Sequence, residues 1–225
     1  MTTATDAYRL NLKFELAKKS FEHFLDFVYI LEPPPGRGKI KFEKWPHIYE
    51  VIEALTTQER IVWLKSRQTG ASWIISALFL WQASFFNGSH LLEFSQGEAE
   101  CKELLWKSKY IYQNLPKEIQ VPVKSLDNQQ ELAFPTMDSW IKAFPSTQKA
   151  GRSYTGSKAV FDEADFHPWL AENLSAVEPV LNDNGGQLIL VSTSNPELAD
   201  SVFKRHYRAA NAFRMNTITM EVGDE

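Results

Sequence analysis

The sequence predicts an α/β protein with a mostly parallel sheet covered by helices. Two observations carry this. Short apolar runs alternate with helix-period segments from about residue 46 onward. Three of those runs end in turns rich in charge, hydroxyl or glycine, beginning at Lys65, Asp162 and Ser192. Helices between strands supply the crossovers that parallel pairing needs. Ligands in such sheets bind beyond the carboxyl ends of the strands, so chemistry is expected at those three ends.

Residues 8–31 place Phe14, Ala17, Phe21, Phe24, Leu25 and Val28 on one helical face. Pro33-Pro34-Pro35-Gly36-Arg37-Gly38 then breaks the chain and reads as a linker, followed by a basic stretch with Lys39, Lys41 and Lys44. Pro46 suits the first turn of a helix running to about Leu55. Arg60 to Leu64 is a short apolar strand, and a turn containing Gly70 opens a helix over 72–86 that Asn87-Gly88 stops. A second strand covers 90–95. A helix over 98–114 turns Cys101, Leu104, Leu105, Ser108, Ile111 and Tyr112 to one side. Segments 131–134 and 140–144 flank Pro135-Thr136-Met137-Asp138 as a hairpin. Ala159-Val160-Phe161 is a strand, 169–181 a helix and 187–191 a further strand. The tail reads as a helix near 199–210 and an alternating segment over 213–222.

Composition sets the outer limits. The 225 residues make one large domain or two small ones, enough for a sizeable core. Hydrophobic residues at 44% and charged residues at 23% exclude wholesale disorder. The 24 Lys+Arg against 28 Asp+Glu, net −4, exclude a broadly basic nucleic-acid coat but leave room for a local strip. The single cysteine, Cys101, cannot form an internal disulfide, which fits a reducing compartment. No apolar run approaches the roughly 18 residues of a membrane helix. Residues 1–12 carry no signal-peptide pattern. A soluble intracellular protein is the default expectation.

The first strand end is Lys65-Ser66-Arg67-Gln68-Thr69-Gly70-Ala71-Ser72. It matches a phosphate-binding loop, G-x-x-x-x-G-K-[ST], at Gly70 and Ser72. Lys65 stands where that pattern has its first glycine, and Ala71 where it has lysine. Backbone N–H groups at a helix N-terminus can hold phosphate oxygens. A cation at the terminal phosphates and a hydroxyl for Mg²⁺ are also needed. Ser72 offers the hydroxyl, and Lys65 or Arg67 must supply the cation. The plainer alternative is a strand-to-helix turn with surface charges.

At the second end, Asp162-Glu163 closes an apolar strand. One carboxylate can bind Mg²⁺ and the other can activate an attacking water. The alternative is a helix cap by Asp162 or Asp165. Together the two segments point to a nucleotide site, and the 90 positions between Ser72 and Asp162 allow an extra strand between the two site-bearing strands. At the third end, Ser192-Thr193-Ser194-Asn195-Pro196 offers hydroxyls that can sense a γ-phosphate, or simple turn chemistry.

The order Lys65–Ser72, Phe144-Pro145-Ser146, Gly151-Arg152, Asp162-Glu163, Ser192-Thr193-Ser194 resembles the ATPase domain of the large terminase subunit of tailed bacteriophages. The resemblance covers roughly residues 40–210. It implies a P-loop NTPase core of the additional-strand type over 46–199, with an N-terminal helix and linker over 1–45 and the start of a lid or hinge over 200–225. It implies ATP and Mg²⁺ as cofactors, with residues 65–72 (Lys65, Ser66, Arg67, Gln68, Thr69, Gly70, Ala71 and Ser72) and Ser192, Thr193 and Ser194 around the nucleotide. Ser72 and Asp162 would stand at the metal. Glu163 would be the catalytic carboxylate, and Arg67 would contact the γ-phosphate. Arg152 would be an arginine finger reaching a neighbouring subunit, or alternatively a surface or DNA-facing charge. His47, in Trp45-Pro46-His47, stands nearest to the family's adenine contact, and Phe166 and Trp169 are candidates for a subunit interface.

The implied function is a motor that drives double-stranded DNA into a procapsid, as a ring homo-oligomer with portal protein and small terminase subunit, in the cytoplasm of the infected bacterial host. DNA contacts would be non-specific and to the backbone, from Lys142, Lys149, Lys158, Lys204, Arg205 and Arg208. A nuclease is not expected, because no acidic cluster follows Pro196. Two alternatives stay open: a helicase-like DNA-dependent ATPase, and a catalytically silent nucleotide-binding assembly module, which Ala71 keeps in play.

Overall fold

The computed structural model describes residues 4–32, 35–67, 69–213 and 215–220. Nine strands and seven α-helices are present among them. The N-terminal part consists of α1 (Ala4–Lys19), α2 (Phe21–Phe24), β1 (Tyr29–Glu32) and β2 (Gly38–Lys41), followed by α3 (Pro46–Thr57). The alternating part runs β3 (Arg60–Lys65), α4 (Ala71–Phe85), β4 (His90–Ser95), α5 (Glu98–Asn114), β5 (Glu131–Phe134) and β6 (Ser139–Pro145). It continues with β7 (Lys158–Asp162), α6 (Leu170–Asp183), β8 (Gln187–Ser192), α7 (Val202–Arg208) and β9 (Asn216–Met220).

The main sheet has the order β5-β6-β4-β7-β8-β3-β9. Every neighbouring pair is parallel except β5–β6, the expected hairpin. That hairpin turns through a tight 3-10 turn over Pro135–Met137, closed by Asp138 in the left-handed region at φ 47°. Asp tolerates that conformation because its short polar side chain can bond locally.

The strands bury both faces, so they read as apolar runs without alternation. Ile61, Trp63, Leu91, Val160, Ile189 and Val191 face the core shared with α1, α3, α4 and α5. Val62, Leu92, Phe94, Phe161, Leu188 and Leu190 face the second core, with Leu174 and Val177 of α6 and Phe203 of α7. The period-2 pleat thus sorts neighbouring apolar residues into two layers. Helix α4 lies between the sheet and the N-terminal helices, with 11 of its 15 residues buried, which explains its continuous hydrophobicity.

The N-terminal part corrects two expectations. The apolar stripe from Phe14 to Val28 is buried throughout, but it is not one helix. α1 stops at Ser20, whose hydroxyl accepts from the His23 N–H and caps α2. A serine side chain that bonds the backbone competes with helix continuation. Tyr29, Ile30 and Leu31 suit extended structure better than helix, and they pair with residues 39–41. The segment 33–38 therefore joins two paired strands and is no linker; Pro33 and Pro34 themselves lie outside the described residues. Lys44 fastens the hairpin to the helices by an ion pair with Asp26 at 2.8 Å.

Two further differences concern the second half. The helix expected near 199–210 begins only at Val202, because the Ser201 hydroxyl accepts from the Lys204 N–H and starts it there. The strand between the two site-bearing strands is β8, whereas the strands encoded between Ser72 and Asp162 lie on the other side of β7. β9 realises the alternating tail segment as far as Met220; Arg214 and residues 221–225 lie outside the described residues.

Gly151 and Gly70 both occupy positive φ, at 81° and 75°. A Cβ on Gly151 would lie 2.8 Å from Val177 and 2.9 Å from Phe94, whereas one on Gly70 meets nothing within 4 Å. Gly151→Ala should therefore cost about 2–4 kcal/mol in urea unfolding, combining backbone strain with overpacking. Gly70→Ala should cost only the backbone part, about 1–2 kcal/mol.

Candidate functional site

The order β7-β8-β3 brings the three predicted strand ends side by side on one rim. Lys65 ends β3, Asp162 ends β7 and Ser192 ends β8. Lys65, Thr193 and Asp162 share the pleat parity of Trp63, Val191 and Val160, so they belong to the face covered by α4.

Lys65 is buried, and its Nζ donates to Glu163 Oε1 at 2.5 Å. The other oxygen of Glu163 accepts from the Thr193 N–H and the Thr193 hydroxyl, both at 3.1 Å, and more distantly from the Ser192 hydroxyl at 3.4 Å. Burial works to raise the Glu163 pKa, but the Lys65 charge and the bonds from Lys65 and Thr193 outweigh it and hold the carboxyl below its ordinary range. Glu163 itself sits in the left-handed region at φ 52°. That sparsely populated conformation persists only where surrounding contacts impose it.

Asp162 turns the opposite way. Its Oδ2 accepts from the Ser72 hydroxyl at 2.8 Å. Burial raises its pKa, offset in part by Lys65, while the Glu163 charge adds to the rise. A serine hydroxyl against a carboxylate is a pair of hard oxygen donors, the chemistry that Mg²⁺ takes alongside phosphate oxygens. The residues present therefore fit a magnesium ion at Ser72 and Asp162.

The loop between β3 and α4 is held at its base by the Ser66 N–H, which donates to Met220 of β9 at 2.8 Å. The Thr69 hydroxyl leans back to the Ser66 carbonyl at 3.4 Å. Gly70 occupies the helix N-cap with a left-handed backbone, so the loop turns without a side chain over the helix end. Ala71 is buried in the core beneath, and the ammonium at the site is that of Lys65. Arg67 and Ser194 are exposed, and Gln68 lies outside the described residues.

Arg152 is not brought into this cluster among the described contacts. It is exposed and lines a separate groove of about 420 Å³ with Lys142, Lys149 and Tyr154, beside the end of β6. His47 is exposed in the first turn of α3 against Trp45. Trp169 is exposed, and Phe166 is half-buried.

Three residues of the site were missed by sequence reasoning. Asp165 is buried and accepts from the Asn195 N–H at 2.6 Å and from the Ser201 hydroxyl, with Lys204 at 3.6 Å. It caps no helix of its own. His167 is buried, and burial lowers its pKa to about 4 against a smaller opposing effect of the Asp162 carbonyl. The neutral ring donates from Nε2 to that carbonyl at 2.8 Å and ties the acidic turn back on itself. Glu93 of β4 is fully buried with both oxygens unpartnered, and burial together with the Asp162 charge pushes its pKa up to about 8. A carboxylate inside an apolar strand was the available signal for Glu93; nothing local distinguished Asp165 or His167.

The family model described as "Terminase large subunit, T4likevirus-type, N-terminal" matches residues 62–206, more than half of the chain. The chain belongs to the large terminase subunit family. Its fold is the P-loop NTPase fold of terminase ATPase domains. The Thermus phage P74-26 large terminase ATPase domain superposes with a TM-score of 0.60 at 15% identity, over 73% of this chain and 76% of that one. The HK97 bacteriophage large terminase gives a TM-score of 0.69 at 12% identity, over 90% of this chain and 43% of that one. The large terminase of the thermophilic bacteriophage D6E, solved in complex with ADP, gives 0.56 at 16% identity, over 74% of this chain and 40% of that one. The terminase chain described here thus spans less than half the length of the HK97 and D6E proteins. No curated protein matches it in sequence. Among the described residues no helix is long and apolar enough to cross a membrane.

Glu93 makes the stability of this terminase chain dependent on pH. Its folded pKa is raised, so from the ordinary 4.5 to about 8 the folded state keeps a proton that the unfolded state has lost. Stability should fall as pH rises through that window. Glu93→Gln should melt close to wild type near pH 5. It should be the more stable form at pH 8, by roughly 2–4 kcal/mol, in parallel thermal denaturation.

Proposed function

We propose that this chain hydrolyses ATP to ADP and phosphate as the motor domain of a phage large terminase, and that the cycle drives double-stranded DNA into the procapsid. The observation that carries the reading is the convergence of three strand ends on one rim, where Glu163 is held by Lys65 and Thr193 while Asp162 faces Ser72. Family membership supports the motor role. The D6E terminase solved with ADP supports nucleotide binding.

The roles follow from the contacts. The backbone N–H groups opening α4 would hold phosphate oxygens, with the Lys65 ammonium at the γ-phosphate. A phosphate that takes Lys65 releases one oxygen of Glu163, which can then accept the proton of the attacking water. Ser192 and Thr193, bonded to the other oxygen, keep the carboxylate aimed. Magnesium bound at Ser72 and Asp162 would neutralise phosphate charge. Arg67 and Ser194 are exposed, free to meet a bound nucleotide, and Gln68 belongs to the same phosphate-loop motif by sequence. Residues 46–199 carry every one of these groups and form the ATPase core, flanked by 1–45 and by the 200–225 segment.

Arg152 acts on a neighbouring subunit in a ring homo-oligomer. DNA contact falls to the groove beside the end of β6, through the exposed Lys149. Among the other cations expected at DNA, Lys142 is paired with Glu131 at 3.2 Å and lies over Trp140 and Tyr154. Lys158 is largely buried, bonded to Gln187 and lowered to about 8 by that burial. Lys204 is spent on Asp165, while Arg205 and Arg208 pair with Asp200. Portal protein and small terminase subunit complete the assembly in the host cytoplasm.

Glu163→Gln tests the chemistry. Its kcat should fall at least ~100-fold in protein shown to bind ADP, since the proton acceptor is lost. Equal turnover in wild type and variant would sink the reading. Mixing Glu163→Gln with Arg152→Ala tests the shared site: neither alone should turn over, and the mixture should regain activity through hybrid interfaces. Binding to DNA of arbitrary sequence should weaken in Lys149→Ala, with a shallower salt dependence by about one unit of slope.

A further inference from the structure

Asp165 has a role that neither the phosphate chemistry nor helix capping accounts for. It lies two residues beyond Glu163, in the 3-10 turn Ala164–Phe166 that follows the acidic strand. Its side chain is fully buried, and a buried carboxylate is retained only where it is well bonded. The side-chain partners all follow β8 in the chain. The Asn195 N–H and the Ser201 hydroxyl donate to it, and the Lys204 ammonium lies 3.6 Å away. Its own N–H donates to the Ser192 hydroxyl at 3.0 Å.

The two acidic residues of this turn thus grip one corner at successive points. Glu163 holds Ser192 and Thr193, and Asp165 holds Ser192 and Asn195. Through Ser201 and Lys204, the same carboxylate reaches the first turn of α7. Lys204 also donates to the carbonyls of Asn195 and Leu198, which closes the loop between β8 and α7 into one bonded unit. A hydrogen bond to Glu163 from a corner free to move would aim the carboxylate poorly. A corner tied to the same turn keeps donor and acceptor in register.

We propose that Asp165 is a positioning residue for Glu163: by anchoring the 192–195 corner and the start of α7, it fixes the Thr193 donors that aim the catalytic carboxylate. The proposal rests on the reading of Glu163 as the proton acceptor. It makes α7 move with the site, because anything that displaces the corner also displaces Ser201 and Lys204.

The test uses the full chain with Asp165→Asn and Asp165→Ala. Asparagine keeps an acceptor oxygen for the Asn195 N–H and Ser201 but turns an amide toward Lys204, so it should retain part of the function that alanine loses. In Asp165→Ala, kcat should fall at least about tenfold, with the ADP dissociation constant within about twofold and Asp165→Asn between it and wild type. Amide hydrogen exchange should quicken at Thr193, Asn195 and residues 202–208 in both variants, while the amides of β3 and β8 keep their protection.

Wild-type kcat in both variants despite a loosened corner would overturn the proposal. So would unchanged protection at Thr193 and Asn195 in Asp165→Asn. Faster exchange throughout the sheet in both variants would overturn it as well, by making Asp165 a general stabiliser. If wild type binds ADP yet hydrolyses nothing, the hydrolysis reading fails, and positioning by Asp165 is still decided by the exchange at Thr193 and Asn195.

Discussion

The ion pair between Lys65 and Glu163 spans a strand. Lys65 ends β3 and Glu163 follows β7, with β8 lying between them in the sheet. The pair can form only if β8 ends at the same level, and β8 then contributes the hydroxyls and N–H that bond the other carboxylate oxygen. Removing one partner from such a pair leaves a buried charge uncompensated, which is worth several kcal/mol. The arrangement is therefore stable while no phosphate is present, and it places at the rim the ammonium that a phosphate would claim. Stability and readiness come from one contact.

The acidic turn after β7 concentrates this economy. Asp162 faces Ser72, Glu163 faces Lys65, Asp165 faces the β8–α7 loop, and His167 closes back on the Asp162 carbonyl. Four polar side chains in six residues point to four different elements. They can do so because Glu163 adopts a left-handed backbone that breaks the strand abruptly. The rest of the fold keeps that turn still: Phe161 stacks on Phe94 at 4.4 Å beneath it, within a core that α6 and α7 cover.

Much of this could be read from residue order alone. The strands and helices of the alternating part follow from apolar runs, glycine turns and helical faces, because burial on both sides of a sheet leaves an unmistakable run such as Leu188 to Val191. The deviant loop was legible through Gly70 and Ser72, and the carboxylates through their place after an apolar strand. The N-terminal hairpin was not, because the stripe from Phe14 to Val28 has helical spacing even where the chain turns to strand. Burial is satisfied by either course, and Ser20 decides between them by capping.

By itself the sequence determined which segments of the alternating part are strands and which functional groups their ends carry. These are local properties, set by side-chain period, turn chemistry and helix caps. Only the tertiary structure decided that β8 lies between β3 and β7, that Lys65 meets Glu163, and that Asp165 holds a loop thirty positions away. Strand order is chosen by how whole helices cover the two sheet faces, a sum over many weak apolar contacts that no single segment encodes. Buried polar partners are chosen last, because each carboxylate must find donors among whatever that packing has brought near.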